Sequence, residues 1–160
     1  MKNDKAKRQS LAAELALIQA VRYFYPDAPL PLRYKRNEHN KPYLCDYPEL
    51  HINISHSGDF SVCIASEHEV GIDIQKTGNA DFRVAKRFFT EDEFQYIGTD
   101  AMRFYELWAK KESYLKAYGT GMSVPLSSFS ALDKSEDHEY IELTPPQSGY
   151  VMWACVINKE

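Results

Sequence analysis

The residues of this chain best suited to chemistry are a carboxylate and an ammonium one helical turn apart, with a second carboxylate on a strand upstream. In Trp108-Ala109-Lys110-Lys111-Glu112-Ser113-Tyr114-Leu115-Lys116-Ala117-Tyr118-Gly119, a spacing of four stacks Trp108, Glu112 and Lys116 on one face of a helix. Upstream, Val70-Gly71-Ile72-Asp73-Ile74-Gln75 alternates as a strand, sending Ile72 and Ile74 one way and Gly71, Asp73 and Gln75 the other. If that polar strand face meets the helix, Asp73 and Glu112 offer hard oxygen ligands for Mg²⁺, and Lys111 and Lys116 lie at hand for phosphate oxygens. This is the inventory of a phosphoryl-group site. Taken singly, Glu112 with Lys116 is equally an exposed ion pair of the kind common on helices, and Asp73 a turn cap. Their conjunction carries the functional reading.

Three blocks then make the chain similar to a known family. Ile52-Asn53-Ile54-Ser55-His56-Ser57-Gly58, Val70 to Gln75, and Phe88-Phe89-Thr90 leading through Glu93 to Trp108-Ala109-Lys110-Lys111-Glu112 and Lys116 resemble the 4′-phosphopantetheinyl transferases in order and spacing. The branch is the Sfp type rather than the smaller trimeric holo-acyl-carrier-protein synthases, and the similarity runs from roughly Arg8 to the end of the chain. The resemblance implies Mg²⁺-dependent transfer of 4′-phosphopantetheine from coenzyme A to a serine of an apo acyl or peptidyl carrier protein, releasing adenosine 3′,5′-bisphosphate. It implies an α+β fold of two similar halves, approximately 1–68 and 69–160, related by a pseudo-twofold axis, and hence a monomer.

Carried over residue by residue, the resemblance makes Asp73 and Glu112 metal ligands, with Glu112 also accepting the proton of the nucleophile and Lys116 offsetting charge on the leaving group. Gln75 stands where many members carry a third acid, as a neutral contributor to the metal site. Ser55 and His56 fall in the segment that touches the 3′-phosphate of the nucleotide. Lys41, in Asn40-Lys41-Pro42-Tyr43, and Arg8 align with basic positions near coenzyme A, and Lys111 joins them at the phosphates. Longer members place a strand and further basic residues ahead of the first helix, which bears on coenzyme A affinity. Carrier proteins are acidic, so Lys86, Arg87 and Phe88 are the expected docking elements. The alternative is a relative that binds coenzyme A or a carrier without transfer, and retention of Asp73, Glu112 and Lys116 argues against it.

Composition sets the bounds. A chain of 160 residues suits one domain and buries about 68–70% of its extended surface on folding. With 44% hydrophobic and 26% charged residues it reads as an ordinary globular protein. The charged start, Met1-Lys2-Asn3-Asp4-Lys5-Ala6-Lys7-Arg8, is not a signal peptide, and no run approaches about 18 apolar residues, so a cytoplasmic protein without a membrane span is expected. A net charge of −4 argues against nucleic acid as partner. Cys45, Cys63 and Cys155 are too scattered for a zinc site and are expected as buried thiols. No Gly-x-Ser-x-Gly elbow supports Ser55 or Ser57 as a protease-like nucleophile, and no second acidic cluster supports a phosphohydrolase.

The elements that must position these residues follow from periodicity. Leu11, Leu15, Ile18, Val21 and Tyr25 predict an amphipathic helix over about 9–25, stopped by Pro26. Short strands and turns are expected over 32–50. A hairpin follows, 51–55 with 60–66, and then the strand 70–75. Helices are expected over 80–89, from the Thr90-Glu91-Asp92-Glu93 capping box to Ile97, and over 102–118 with Gly119 as terminator. Strands are predicted at 129–132, 139–143 and 150–157. Trp108 is expected to fix the long helix on the sheet.

Overall fold

The computed structural model describes residues 2–158, and its architecture follows from which faces of these segments are apolar. Helix α1 (Lys2–Phe24) buries Leu17 and Val21 against the hairpin of β3 (His51–Ser57) and β4 (Phe60–Ser66), together with Leu50 and Ile52. The buried stripe is narrower than the periodicity suggested. Leu11 and Leu15 face solvent at 62% and 56% exposure, because the hairpin packs on the Leu17–Val21 side. A second, three-residue hairpin, β1 (Tyr34–Arg36) with β2 (Pro42–Leu44), supplies Leu44 to the same core.

Strand β5 (Val70–Lys76) does not extend the β3–β4 hairpin. It pairs antiparallel with β7 (Tyr150–Ile157), which pairs in turn with β6 (His138–Leu143), giving the order β5-β7-β6. Side chains of β3 join the two sheets. Asn53 Oδ1, Ser55 Oγ and Ser57 Oγ accept the backbone N–H groups of Ile72, Ile74 and Lys76 at 3.0, 3.3 and 2.9 Å. Each partner advances by two residues along both strands, so β3 and β5 run parallel, with polar side chains doing for these N–H groups, two of them buried, what a backbone ladder would otherwise do.

Over β5 and β7 lies α4 (Ala101–Tyr118), capped at Asp100, whose carboxylate accepts Met102 N at 2.8 Å, and ended by left-handed Gly119. Its other side meets α2 (Phe82–Phe88) and α3 (Glu91–Ile97). There Trp108 stacks on Phe104 at 6.0 Å and meets Phe89 edge-on at 6.0 Å. Trp108 therefore fastens α4 to the small helices and not, as expected, to the sheet.

The predicted strand 129–132 does not form. A 3-10 turn at Leu126–Ser128 leads into irregular chain, because side chains from below claim its backbone groups. Lys111 takes the carbonyls of Leu126 and Phe129, and Glu93 takes the N–H of Ala131. The whole is α+β. Cys45 is exposed, against expectation, while Cys63 is partly and Cys155 fully buried, and burial pushes both of the latter thiols up to about 12. Among the described residues no helix is long and apolar enough to cross a membrane.

Candidate functional site

At Asp73 the β3–β5 seam meets α4. Asp73 is 3% exposed, and its Oδ1 accepts hydrogen bonds from Lys116 Nζ at 2.5 Å and Ser55 Oγ at 3.0 Å. The Ser55 hydroxyl uses its full capacity: it donates to Asp73 and accepts from Ile74 N and from Lys116 Nζ, the latter at 3.0 Å. Lys116 completes its three donors with the Ile72 carbonyl at 3.2 Å. Gln75, next but one on the same strand face, donates its amide N–H to Asp73 Oδ2 at 2.7 Å.

What lets a helix come this close is Gly71. A Cβ there would lie 2.0 Å from the Ser113 carbonyl oxygen and 2.4 Å from the Ala117 nitrogen, so the α4 backbone rests directly on the strand. One turn before Lys116, the partly buried Glu112 carboxyl is held above its usual range, first by burial and then by the negative charge of Asp73, with the Lys116 ammonium opposing. The two carboxylates therefore sense each other, and among the described residues nothing donates a hydrogen bond to Glu112. Two carboxylates and one ammonium leave one negative charge in excess, which a divalent cation would more than offset, leaving positive charge for an anionic ligand. Among the described residues no group of three or more His, Cys, Asp or Glu side chains is placed to hold a metal ion. A site of two carboxylates, completed by waters and substrate phosphate, suits Mg²⁺ rather than a softer metal.

Glu112 and Lys116 form one end of a cavity of about 390 Å³ whose other walls carry Arg36, His39, Lys41 and His56. A cleft lined by that many cationic or basic groups and closed by a carboxylate suits a polyanion that also carries a metal. Its donors are not equally free. Lys41 Nζ already gives hydrogen bonds to the Ala117 carbonyl at 2.5 Å and Glu69 Oε2 at 2.6 Å, so it braces the C-terminal turn of α4. Arg36 spends one nitrogen on the Asn40 carbonyl at 2.9 Å, and His56 is exposed.

Of the residues picked from the sequence, Asp73, Glu112, Lys116, Ser55 and Gln75 come together, and Lys41 and His56 line the same cavity. Arg8 does not; it borders a neighbouring cleft with Lys5, Gln9 and Asp59. Lys111 is a correction. Its ammonium is fully buried on the far side of α4, 2.8 Å from Glu93, because adjacent helical residues point about 100° apart. Burial pulls its pKa down and Glu93 pulls it back up, and no donor is left for a phosphate. Arg36 and His39 are not among the site residues read from the sequence; the β1–β2 hairpin brings them to the cavity.

The family model described as the 4′-phosphopantetheinyl transferase superfamily matches residues 69–156. The chain is 41% identical over 113 residues to 4′-phosphopantetheinyl transferase gsp of Aneurinibacillus migulanus, covering 68% of this chain and 46% of that one. It is 34% identical over 145 residues to 4′-phosphopantetheinyl transferase Sfp of Bacillus subtilis (strain 168), covering 81% and 65%. To the human L-aminoadipate-semialdehyde dehydrogenase-phosphopantetheinyl transferase it is 39% identical over 114 residues, covering 59% and 37%. The chain thus spans less than two thirds of the length of these relatives.

Proposed function

The chain belongs to the 4′-phosphopantetheinyl transferase superfamily, and on that basis we propose that it transfers 4′-phosphopantetheine from coenzyme A to a serine of an apo carrier protein, with Mg²⁺ as cofactor. The observation that carries this reading is the basic cavity ending on Glu112 and Lys116, with the buried Asp73 carboxylate bonded to Lys116 and felt by Glu112. In the reaction, the carrier serine oxygen bonds to the β-phosphorus of coenzyme A, the bridging bond from that phosphorus to the nucleotide breaks, and adenosine 3′,5′-bisphosphate leaves with the bonding electrons. The hydroxyl proton passes to Glu112, directly or through water. Mg²⁺ held by Asp73 and Glu112 would polarise the pyrophosphate.

Lys116, its donors held by Asp73, Ser55 and the Ile72 carbonyl, would offset charge gathering on the leaving phosphate through its field at the cavity wall. Ser55 keeps Asp73 and Lys116 in register, and Gln75 steadies the second oxygen of Asp73. Arg36, His39 and His56 take the nucleotide end, with Lys41 behind them and Arg8 further out. An acidic carrier would meet exposed Lys86 and Arg87 beside Phe88, and the enzyme acts as a monomer. The test is intact-mass spectrometry of an apo carrier incubated with the protein, coenzyme A and Mg²⁺. A phosphopantetheine adduct that vanishes in EDTA supports the reading; an unmodified carrier across acyl and peptidyl types overturns it.

A further inference from the structure

We propose that the buried pair Glu93–Lys111 is a positioning device that sets the rotation of α4 about its own axis and so turns Glu112 and Lys116 toward Asp73. Both side chains are fully buried and 2.8 Å apart, and their bonding capacity is directed at three separate segments. Lys111 Nζ donates to the Leu126 carbonyl at 2.6 Å, to the Phe129 carbonyl and to Glu93. Glu93 Oε1 accepts Ala131 N at 2.7 Å, and Oε2 accepts Thr90 N at 2.9 Å. The start of α3, the middle of α4 and the chain over 126–131 are thereby locked to one another.

Apart from the site's own bonds at Lys116 and the brace of Lys41 on the last turn, the remaining contacts of α4 do less to supply this. At Gly71 the helix rests on bare strand backbone, which fixes its height but has no side chain to index its rotation. The aromatic packing around Trp108 accepts a range of ring geometries, whereas hydrogen bonds to fixed carbonyls and an N–H fail when the donor swings aside. Successive helical residues are about 100° apart, so pinning Lys111 on one side fixes where Glu112 looks on the other. A buried ion pair is often no more stabilising than an apolar pair of the same volume, so stability alone does not account for one here. Positioning does.

The proposal rests on the transferase reading only for its consequence in catalysis, and the test separates the two. The variants are Lys111→Met and the shape-conserving Glu93→Gln, each checked for folding by circular dichroism. In protein free of metal and coenzyme A, nuclear Overhauser contacts of the Lys116 side chain with Ile72 and Ser55 report the rotation; they are expected to weaken or vanish in the folded variants. In the transfer assay, the half-saturating Mg²⁺ concentration should rise about 10–100-fold, as for loss of a group that orients a metal ligand, with a smaller change at saturating Mg²⁺. Wild-type Overhauser contacts in a folded variant would overturn the proposal, and so would unfolding of both variants, which would make the pair a stability element. A wild-type protein that transfers nothing would overturn the function while leaving the Overhauser result to decide this one.

Discussion

Gly71 of β5 and Ser113 of α4 meet backbone to backbone, so that a methyl group on Gly71 would lie 2.0 Å from the Ser113 carbonyl oxygen. That oxygen belongs to the helix ladder and cannot step aside alone. Gly71→Ala is expected to destabilise the fold by about 3 kcal/mol or more, the upper end of overpacking costs, and to lift Glu112 and Lys116 off Asp73. Urea unfolding measures the first effect and phosphopantetheine transfer the second. A wild-type midpoint would show that α4 is not seated as described.

The pair Asp73–Lys116 is unevenly buried, with side-chain exposures of 4% and 28%. Asp73→Asn leaves Lys116 and Ser55 facing a neutral amide, and should cost about 1–3 kcal/mol together with nearly all transfer. Lys116→Met should cost more in stability, since it leaves the 4% exposed Asp73 carboxylate without its charge partner, and should slow the chemical step more than it weakens coenzyme A binding. Chemical denaturation and single-turnover kinetics check both. A Lys116 variant altered only in coenzyme A affinity would make that ammonium a ground-state phosphate ligand.

Glu112 should show the opposite sign in stability. Its folded pKa lies above the ordinary 4.5, so below that value both folded and unfolded forms are protonated and nothing is lost. As pH rises from 4.5 through the folded pKa, the unfolded chain gives up its proton first, stability falls, and the penalty is complete above the folded value. Glu112→Gln should therefore stabilise the metal-free protein at about pH 7.5, change little at about pH 4, and abolish transfer. Thermal melts in EDTA at the two pH values test this, and a variant less stable than wild type at the higher pH would contradict it.

Much of the site was legible because its residues obey simple periods. Alternation placed Gly71, Asp73 and Gln75 on one face of β5, and the spacing of four aligned Glu112 with Lys116; the fold sets these two faces against each other at Gly71. The Thr90–Glu93 box and the Gly119 terminator are likewise local and came through. What failed was long-range. Lys111 reads as a phosphate ligand beside Lys116 because a fully buried lysine requires partners from 15 and 18 residues further on, which no local pattern announces. The same partnership erased the predicted strand at 129–132, whose residue types suit a strand but whose backbone is claimed by Lys111 and Glu93. The separation of β5 from the β3–β4 hairpin depends on Asn53, Ser55 and Ser57 replacing a backbone ladder, and nothing in their spacing distinguishes that from an ordinary polar strand face.

That seam offers a graded test. Ser55→Ala strands the buried Ile74 N–H and removes one contact each from Asp73 and Lys116, so it should cost about 1–3 kcal/mol and lower transfer markedly. Ser57→Ala frees only the N–H of Lys76 in an exposed stretch and should leave both stability and transfer close to wild type. Equal effects of the two substitutions would mean that the seam acts as a unit rather than through the contact of Ser55 with Asp73.

Gln75 provides the sharpest test of the metal site. Its amide N–H lies 2.7 Å from Asp73 Oδ2, so Gln75→Glu replaces an attractive contact with a third carboxylate beside two that already sense each other. Without metal, that variant should melt below wild type. With Mg²⁺ the added charge should tighten binding, and stabilisation by a ligand grows with its concentration relative to its dissociation constant. The Mg²⁺-dependent rise in melting temperature should therefore be larger in Gln75→Glu than in wild type, and its half-saturating Mg²⁺ for transfer lower, with transfer itself retained. Gln75→Ala, which keeps both carboxylates of the proposed metal site, should be far milder than Asp73→Ala. A Gln75→Glu protein with wild-type stability in EDTA and an unchanged Mg²⁺ requirement would place Gln75 away from the ion, and a Gln75→Ala protein as inactive as Asp73→Ala would make its amide essential.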